Sequence, residues 1–134
     1  MCVMTVLITG ATSGFGKACA QLFGKNGYDL IITGRRKDRL DALETQLKSE
    51  FKIKVKSLNF DVRDQVETEK ALNGLDAEWK KIDVLINNAG LAAGLSTIDE
   101  GNLDDWERMI DTNLKGLLYV SRIVLPWMKN AKRG

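Results

Sequence analysis

The stretch VMTVLITGATSGFG (residues 3–16) decides the fold of this chain. Its first part, Val3 to Thr9, is a continuous apolar run rich in β-branched residues, which is typical of a strand buried on both faces of a sheet. A turn with three glycines follows, and a helix is predicted from Gly14 to about Lys25. Its apolar residues recur at helical spacing: Phe15, Ala18, Leu22 and Phe23. A strand, a tight turn and a helix therefore open the chain.

The same alternation of apolar strands and amphipathic helices continues along the chain. Further strands are predicted at 28–33, 53–60 and 82–86. Two helices between them carry the apolar positions Leu40, Leu43, Leu47 and Phe51, and then Val66, Leu72, Leu75 and Trp79. A last helix, from 103 to about 130, has its apolar stripe at positions 103, 106, 110, 117, 120, 124 and 127.

This order predicts an α/β fold, a Rossmann-type doubly wound parallel sheet with strand order 3-2-1-4. The predicted sheet ends with the fourth strand and its following helix. Asp64 followed by Glu67 predicts a capped start for the third helix. Because no linker or repeat interrupts the pattern, we expect residues 1–134 to form a single domain.

Composition excludes several classes of function. The 134 residues carry 20 Lys plus Arg against 18 Asp plus Glu, and a net charge of +2 favours neither nucleic acid nor a membrane as partner. Since the chain has no His, it contains no Ser-His or Cys-His nucleophile pair and no His-ligated metal. Its cysteines, Cys2 and Cys19, lack metal-ligand spacing, so we expect no metal and a reduced, cytoplasmic protein.

The glycine turn has the composition of a phosphate-binding loop. Its residues are Gly10, Ala11, Thr12, Ser13, Gly14, Phe15 and Gly16. A glycine-rich turn lets the backbone approach a pyrophosphate, and the helix N-terminus behind it offers unpaired N–H groups. A nucleoside triphosphate P-loop is disfavoured, because five residues separate Gly10 from Gly16-Lys17 and Ala18 supplies no hydroxyl for magnesium. The other alternative is a glycine turn without a ligand.

The end of the second strand indicates which dinucleotide would bind. Gly34-Arg35-Arg36-Lys37 stands where a binder of an unphosphorylated ribose places Asp or Glu. Three cations at a helix start oppose the helix dipole, at a cost of about 0.3–1 kcal/mol each if nothing compensates. A ribose 2′-phosphate would compensate, since guanidinium groups match its oxygens, and would favour NADP over NAD by at least about tenfold. The alternative is a solvated helix start.

Three further positions fall at the same predicted crevice. Asp61-Val62 follows the third strand, where Asp61 either accepts from an adenine amino group or serves as a turn or capping residue. Asn88-Ala89-Gly90 follows the fourth strand, on the opposite lip of the crevice. Asn113 falls on the apolar stripe of the last helix, so we expect a buried amide with a hydrogen-bond partner, most simply the local backbone.

Taken together, these motifs resemble the short-chain dehydrogenase/reductase family, and more narrowly its NADP-dependent 3-hydroxy acid (serine-type) dehydrogenases. The matching segments are TGATSGFG (9–16), TGRR (33–36), DV (61–62), NNAG (87–90) and MIDTNLKG (109–116). The resemblance spans essentially all 134 residues. It implies an oxidoreductase that transfers hydride between NADP and a small 3-hydroxy acid or carbonyl substrate, assembled as a homo-tetramer.

The resemblance also implies roles for individual residues. The glycine turn would hold the pyrophosphate, and Arg35 and Arg36 the 2′-phosphate. The adenine would lie at Asp61 and Val62, and the adenosine side and the centre of the sheet at Asn88, Ala89 and Gly90. Asn113 would match the asparagine of the catalytic tetrad, which opens the long helix locally and holds a proton-relay water.

The rest of the family's catalytic set has no counterpart in these residues. The family uses a Tyr four residues before a Lys, with a Ser upstream, whereas Tyr28 and Tyr119 are followed at that spacing by Ile32 and Ile123. The resemblance places the missing segment after Gly134. We therefore expect the cofactor-binding half of a dehydrogenase, inactive by itself. A non-catalytic NADP-binding or partner-binding module is the alternative.

This interpretation predicts how the isolated chain behaves in solution. Without a fifth strand, residues 82–86 would form an exposed, apolar sheet edge, which favours association. We expect the 134-residue chain to be marginally stable or to self-associate when sedimentation and chemical denaturation are measured. A monodisperse monomer with sharp cooperative unfolding would contradict this expectation.

Overall fold

Four parallel strands form the sheet in the computed structural model, which describes residues 3–134; Cys2, one of the two cysteines expected to be reduced, lies outside that range. The strands are β1 (Thr5–Ile8), β2 (Asp29–Gly34), β3 (Val55–Asn59) and β4 (Val84–Ile86). Their order is β3-β2-β1-β4, with every neighbouring pair parallel. The predicted doubly wound sheet is confirmed, although β1, β3 and β4 are shorter than predicted.

Helices connect the strands and cover both faces of the sheet. They are α1 (Gly14–Lys25), α2 (Lys37–Phe51), α3 (Gln65–Asn73), α4 (Leu103–Ile110) and α5 (Leu117–Ala131), with a π-helical segment (Asp111–Gly116) joining α4 to α5. Among residues 3–134, no helix combines the length and the apolar character needed to cross a membrane. The same residues contain no cluster of three or more His, Cys, Asp or Glu that could hold a metal.

The alternation of side chains along β1 and β2 divides the core into two layers. Since successive strand residues point to opposite faces, Val6 and Ile8 pack with α1 and α2, while Leu7 packs with α3 and α5. All of these strand residues are fully buried. Burial on both faces explains why the strand sequences are continuous apolar runs rather than alternating ones.

Helix α1 turns a different face to the sheet from the one predicted. Phe15 is 86% exposed and Leu22 is also exposed, whereas Gly16, Ala20 and Gly24 are buried. Ala18 is exposed as well, and of the four predicted positions only Phe23 packs against the core. Small residues occupy the buried face because they let the helix backbone approach the sheet and α2 closely. A Cβ atom on Gly24 would lie 2.8 Å from the Phe51 ring.

Helix α3 is shorter than its apolar pattern suggested. It ends at Asn73, so Leu75 and Trp79 pack against the core from the segment that follows it. Val66 is exposed, contrary to the prediction. Gly74 occupies the C-cap position, and its N–H donates the last helical bond to the Lys70 carbonyl at 3.1 Å.

The π-helical segment changes which face of the long helix is buried. A π-helical turn closes i→i+5 hydrogen bonds, so it rotates the residues that follow relative to an α-helical pattern. The buried positions are Thr112, Gly116, Val120, Val124 and Met128. The predicted positions Leu103, Ile110 and Leu117 are exposed instead, while Trp106 and Trp127 are half-buried. Only the C-terminal part of the predicted stripe is therefore correct.

The capped start of α3 provides a test of local stability. The Asp64 carboxylate accepts a 2.9 Å hydrogen bond from the Glu67 N–H, as predicted. We expect Asp64→Ala to lower the free energy of unfolding by about 1 kcal/mol, because it removes the acceptor for that N–H. Urea denaturation measures the change, and Asp64→Ser, which restores a capping oxygen, is the control. Equal losses in both variants would show that the loss does not come from the missing capping oxygen.

Candidate functional site

A pocket of about 590 Å³ opens at the carboxyl ends of the strands. It lies where β1 meets β2 on one side and β4 on the other, which is where open α/β sheets bind ligands. Eleven of the predicted residues line it: Gly10, Thr12, Ser13, Phe15, Arg35, Arg36, Asp61, Val62, Asn88, Ala89 and Gly90. We call this the strand-end pocket.

Six further lining residues were not predicted as site residues: Thr33, Gly34, Phe60, Leu91, Ala92 and Thr112. All six lie within two residues of a predicted site residue, and Thr33, Gly34 and Thr112 lie inside the quoted segments TGRR (33–36) and MIDTNLKG (109–116). Extending each predicted site by one or two residues would have found them.

Four predicted residues support the pocket without lining it. Ala11 is fully buried, and its N–H donates to the Thr33 carbonyl at 2.9 Å. Gly16 packs so tightly that an added Cβ would overlap the Gly10 carbonyl and the Asn88 side chain. Gly14 adopts a φ of +54°, which favours glycine. Asn113, the fourth, contacts the loop after β4.

Gly10 combines two requirements for glycine. Its φ is +66°, in the left-handed region, and a Cβ at this position would lie 2.8 Å from the Ala89 Cα. The first strand can therefore turn at the pocket only while its backbone nearly touches the segment after β4. This close approach brings both lips of the crevice together.

The start of α1 leaves its backbone donors free for a ligand. Ser13 occupies the N-cap position, but its side chain makes no capping bond, and the first turn contains no acidic residue. By contrast, Asp64 caps α3 and Asn102 caps α4 with side-chain oxygens. The positive end of the α1 dipole thus faces the pocket with its first N–H groups uncapped, an arrangement suited to an anion.

Thr9 and Asn88 join the ends of β1 and β4. The Thr9 hydroxyl accepts hydrogen bonds from the N–H groups of Asn88 (3.1 Å) and Ala89 (3.0 Å). In return, the Asn88 Nδ2 donates to the carbonyls of Thr9 and Gly10, both at 3.0 Å. We call these four bonds the Thr9–Asn88 clamp. It fixes the two backbones that form the floor of the pocket.

Both arginines after β2 line the pocket, and Arg36 contacts the glycine turn. Arg36 Nη2 donates to the hydroxyls of Thr12 and Ser13, each at 3.0 Å. Among residues 3–134, Arg36 has no carboxylate partner, whereas Lys37 pairs with Asp41 at 2.6 Å. The dipole argument assumed that nothing compensates the three cations at the start of α2. That assumption is wrong for Lys37, which Asp41 neutralises.

Asp61 is held by a neighbouring arginine. Its carboxylate accepts from Arg63 Nε at 3.1 and 3.0 Å, from Arg63 Nη2 at 2.7 Å and from the Arg63 N–H at 3.0 Å. Partial burial raises the pKa of Asp61, but the hydrogen bonds from Arg63 outweigh burial and the pKa lies below its usual value. Asp61 is therefore an ionised turn residue that also lines the pocket.

Asn113 has a partner, but not the predicted one. Its side chain is exposed, and it bonds to Leu91, 22 residues away, instead of to the local helix backbone. The Asn113 Oδ1 accepts from the Leu91 N–H at 2.8 Å, and Nδ2 donates to the Leu91 carbonyl at 2.9 Å. The predictions of burial and of local bonding are wrong, because the π-helical segment directs this amide to the loop after β4.

Comparisons with known proteins agree with this geometry. A family profile described as short chain dehydrogenase matches residues 4–134. The NADP-dependent 3-hydroxy acid dehydrogenase YdfG of Salmonella typhi is 49% identical over 131 residues, which are 98% of this chain and 51% of that protein. Serine 3-dehydrogenase of Rhizobium radiobacter is 48% identical over 96% of this chain and 50% of its own length. The chain thus spans about half the length of the curated relatives it matches.

Solved structures give the same result. The crystal structure of serine dehydrogenase from Escherichia coli superposes with a TM-score of 0.91 at 44% identity, covering 98% of this chain and 59% of that one. A closed form of serine dehydrogenase complexed with NADP⁺ has a TM-score of 0.88 at 45% identity, over 98% of this chain and 51% of the other. Both share the sheet and helices described above.

The Thr9–Asn88 clamp yields a testable prediction. Thr9→Val keeps the shape of the buried side chain but removes the acceptor for two N–H groups. We expect the free energy of unfolding to fall by about 1–3 kcal/mol, because the half-buried Ala89 N–H loses its acceptor, whereas the Asn88 N–H still donates to the Ile86 carbonyl at 3.0 Å. Urea denaturation measures the fall, and Thr9→Ser, which keeps the hydroxyl, should lose less. A Thr9→Val variant as stable as the parent would contradict the role of the clamp.

Proposed function

This chain belongs to the short-chain dehydrogenase family, and on that premise we propose that it binds NADP(H) and forms the cofactor-binding half of an oxidoreductase. The proposed reaction is hydride transfer between the nicotinamide and a small 3-hydroxy acid or carbonyl substrate. The observation that carries the proposal is that Arg35, Arg36 and the glycine turn line one pocket, with Arg36 bonded to Thr12 and Ser13 of the turn.

The glycine turn fits a pyrophosphate. Side chains at Gly10 and Gly16 would fill space that the backbone of the turn and of Ala89 now occupies, so the turn presents bare backbone to the pocket. The N–H groups at the start of α1 have no cap, and the helix dipole adds positive potential there. Residues Gly10, Thr12, Ser13 and Phe15 line this part of the pocket and are the proposed pyrophosphate contacts, supported by Ala11, Gly14 and Gly16.

The arginines fit a ribose 2′-phosphate. Two neutral hydroxyls hold Arg36, so an approaching phosphate does not have to displace a carboxylate from it. A guanidinium presents a planar fork of donors that matches phosphate oxygens, which a lysine does not. Arg35 lies 3.7 Å from Asp61 without a hydrogen bond among residues 3–134, and its exposed side chain can also turn to a phosphate.

The remaining lining residues are assigned by the family pattern. We propose that Asp61 and Val62 contact the adenine, and that Asn88, Ala89 and Gly90 lie along the adenosine side and the centre of the sheet. Asn113 is proposed as the asparagine of the catalytic tetrad. Its double hydrogen bond to Leu91 supports a positioning role, because it ties the long helix to the loop at the pocket rim.

When bound, the nicotinamide supplies the hydride, and the protein supplies orientation and a path for the proton. The 134 residues contain no Tyr-x-x-x-Lys, so we propose that this chain by itself binds cofactor without turning over substrate. We further propose that residues 1–134 form one NADP-binding unit within a larger dehydrogenase domain, consistent with relatives about twice as long. The cytoplasmic location and the homo-tetramer stay predictions.

Cofactor choice tests this proposal directly. We expect calorimetric titration to show NADPH binding at least about tenfold more tightly than NADH, since charge-assisted bonds to the extra phosphate favour it. The double variant Arg35→Ala, Arg36→Ala should lose most of that preference. Arg39→Ala, which removes a nearby cation that does not line the pocket, is the control and should keep it.

Each outcome of the titration has a defined meaning. Equal affinities of the unmodified chain for NADPH and NADH would overturn the 2′-phosphate assignment. A chain that binds neither would overturn the cofactor proposal altogether.

A further inference from the structure

Arg63 was not singled out in the sequence, yet it makes four polar contacts with Asp61 at the strand-end pocket. The turn DVRD (residues 61–64) closes with a 3.0 Å bond from the Asp64 N–H to the Asp61 carbonyl. The Arg63 N–H donates to the Asp61 carboxylate at 3.0 Å, as in an Asx turn. This local geometry folds the guanidinium back onto both carboxylate oxygens.

Arg35 approaches the same carboxylate from the other side. Its Nη1 lies 3.7 Å from Asp61 Oδ2, the oxygen that Arg63 Nη2 holds at 2.7 Å. A carboxylate offers about four acceptor positions, and three N–H groups of Arg63, one of them shared by both oxygens, take up most of them. Arg35 therefore stays at ion-pair distance, and its side chain is 57% exposed against 32% for Arg63.

The charges around this part of the pocket are three guanidinium groups and one carboxylate. Arg35 and Arg36 line the pocket together with Asp61, and Arg63 lies behind Asp61. The Asp111 carboxylate also attracts Arg63, but it pairs with Lys115 at 2.7 Å. The Asp61 carboxylate is negative at neutral pH, and its neighbouring cations are Arg63 at 2.7 Å and Arg35 at 3.7 Å.

We propose that Arg63 is a positioning residue for cofactor specificity: by neutralising and occupying Asp61, it leaves Arg35 available to a ribose 2′-phosphate. The inference rests on the proposed function, in which Arg35 meets that phosphate. Without Arg63, the carboxylate has Arg35 as its nearest cation. It then pairs with Arg35 and also repels the phosphate dianion, so NADP(H) loses affinity while NAD(H), which lacks the phosphate, does not.

The experiment compares NADPH and NADH affinities of the full chain by calorimetry in four proteins. These are the unmodified chain, Arg63→Ala, Asp61→Asn with Arg63→Ala, and Arg108→Ala as the matched control. Arg108 forms a similar arginine–carboxylate pair with Asp105 but does not line the pocket. We expect Arg63→Ala to reduce the NADPH preference about five- to tenfold, as an uncompensated charge near the phosphate would.

Removing the carboxylate should reverse the effect. The double variant is expected to regain the NADPH preference of the unmodified chain, because no charge is then left to capture Arg35. A loss of affinity for the adenine would affect both cofactors equally and leave the ratio unchanged. A merely structural role of Arg63 would likewise not move the ratio.

Two results would overturn the inference. One is an Arg63→Ala variant that prefers NADPH as strongly as the unmodified chain does; the other is a double variant that does not recover the preference. Where Arg63→Ala does not fold by circular dichroism, Arg63→Gln and the double variant carry the same comparison. An unmodified chain without NADPH preference would instead refute the 2′-phosphate assignment of the proposed function, so the two failures are distinguishable.

Discussion

The contact between the ends of β1 and β4 is the constraint on which the rest of this structure depends. Gly10 and Gly16 have no Cβ, so the backbone after β1 can lie against Ala89 and Asn88. Thr9 and Asn88 then supply hydrogen bonds to the backbone groups that the turn leaves unpaired. Buried backbone groups must be satisfied, so this polar clamp allows a tight turn inside an apolar sheet. The pocket exists because that turn is tight.

The charges around the pocket are unevenly distributed. The uncapped start of α1 and the two arginines after β2 concentrate positive charge at one end of the sheet, although the net charge of the whole chain is only +2. Asp61 is the negative group within this region, and Arg63 holds it in place. Positive charge is thus concentrated at the pocket although the net charge of the chain is small, and this charge distribution suits an anionic ligand.

The long helix shows where sequence reasoning fails in physical terms. A stripe of apolar residues predicts the buried face only if the helix is regular, and the π-helical segment at Asp111–Gly116 breaks that regularity. Residues after it are buried at Val120 and Val124, as predicted, while Leu103 and Ile110 before it are exposed. Asn113 changes from a predicted core residue to a tether for Leu91 for the same reason. On α1, the buried face consists of Gly16, Ala20 and Gly24, while Phe15 and Leu22 are exposed. Small residues are needed there because the helix backbone packs closely against its neighbours.

By itself the sequence determined the order of strands and helices, the parallel sheet, the glycine turn and the cations after β2, because each follows from local patterns of polarity and backbone freedom. Tertiary structure alone decided which residues meet. Thr9 with Asn88 spans 79 positions, and Arg36 reaches back 24 to Thr12, so no local pattern could reveal either pair. Asp61 Oδ2 lies 2.7 Å from Arg63 Nη2 and 3.7 Å from Arg35 Nη1, and only tertiary packing sets such a difference.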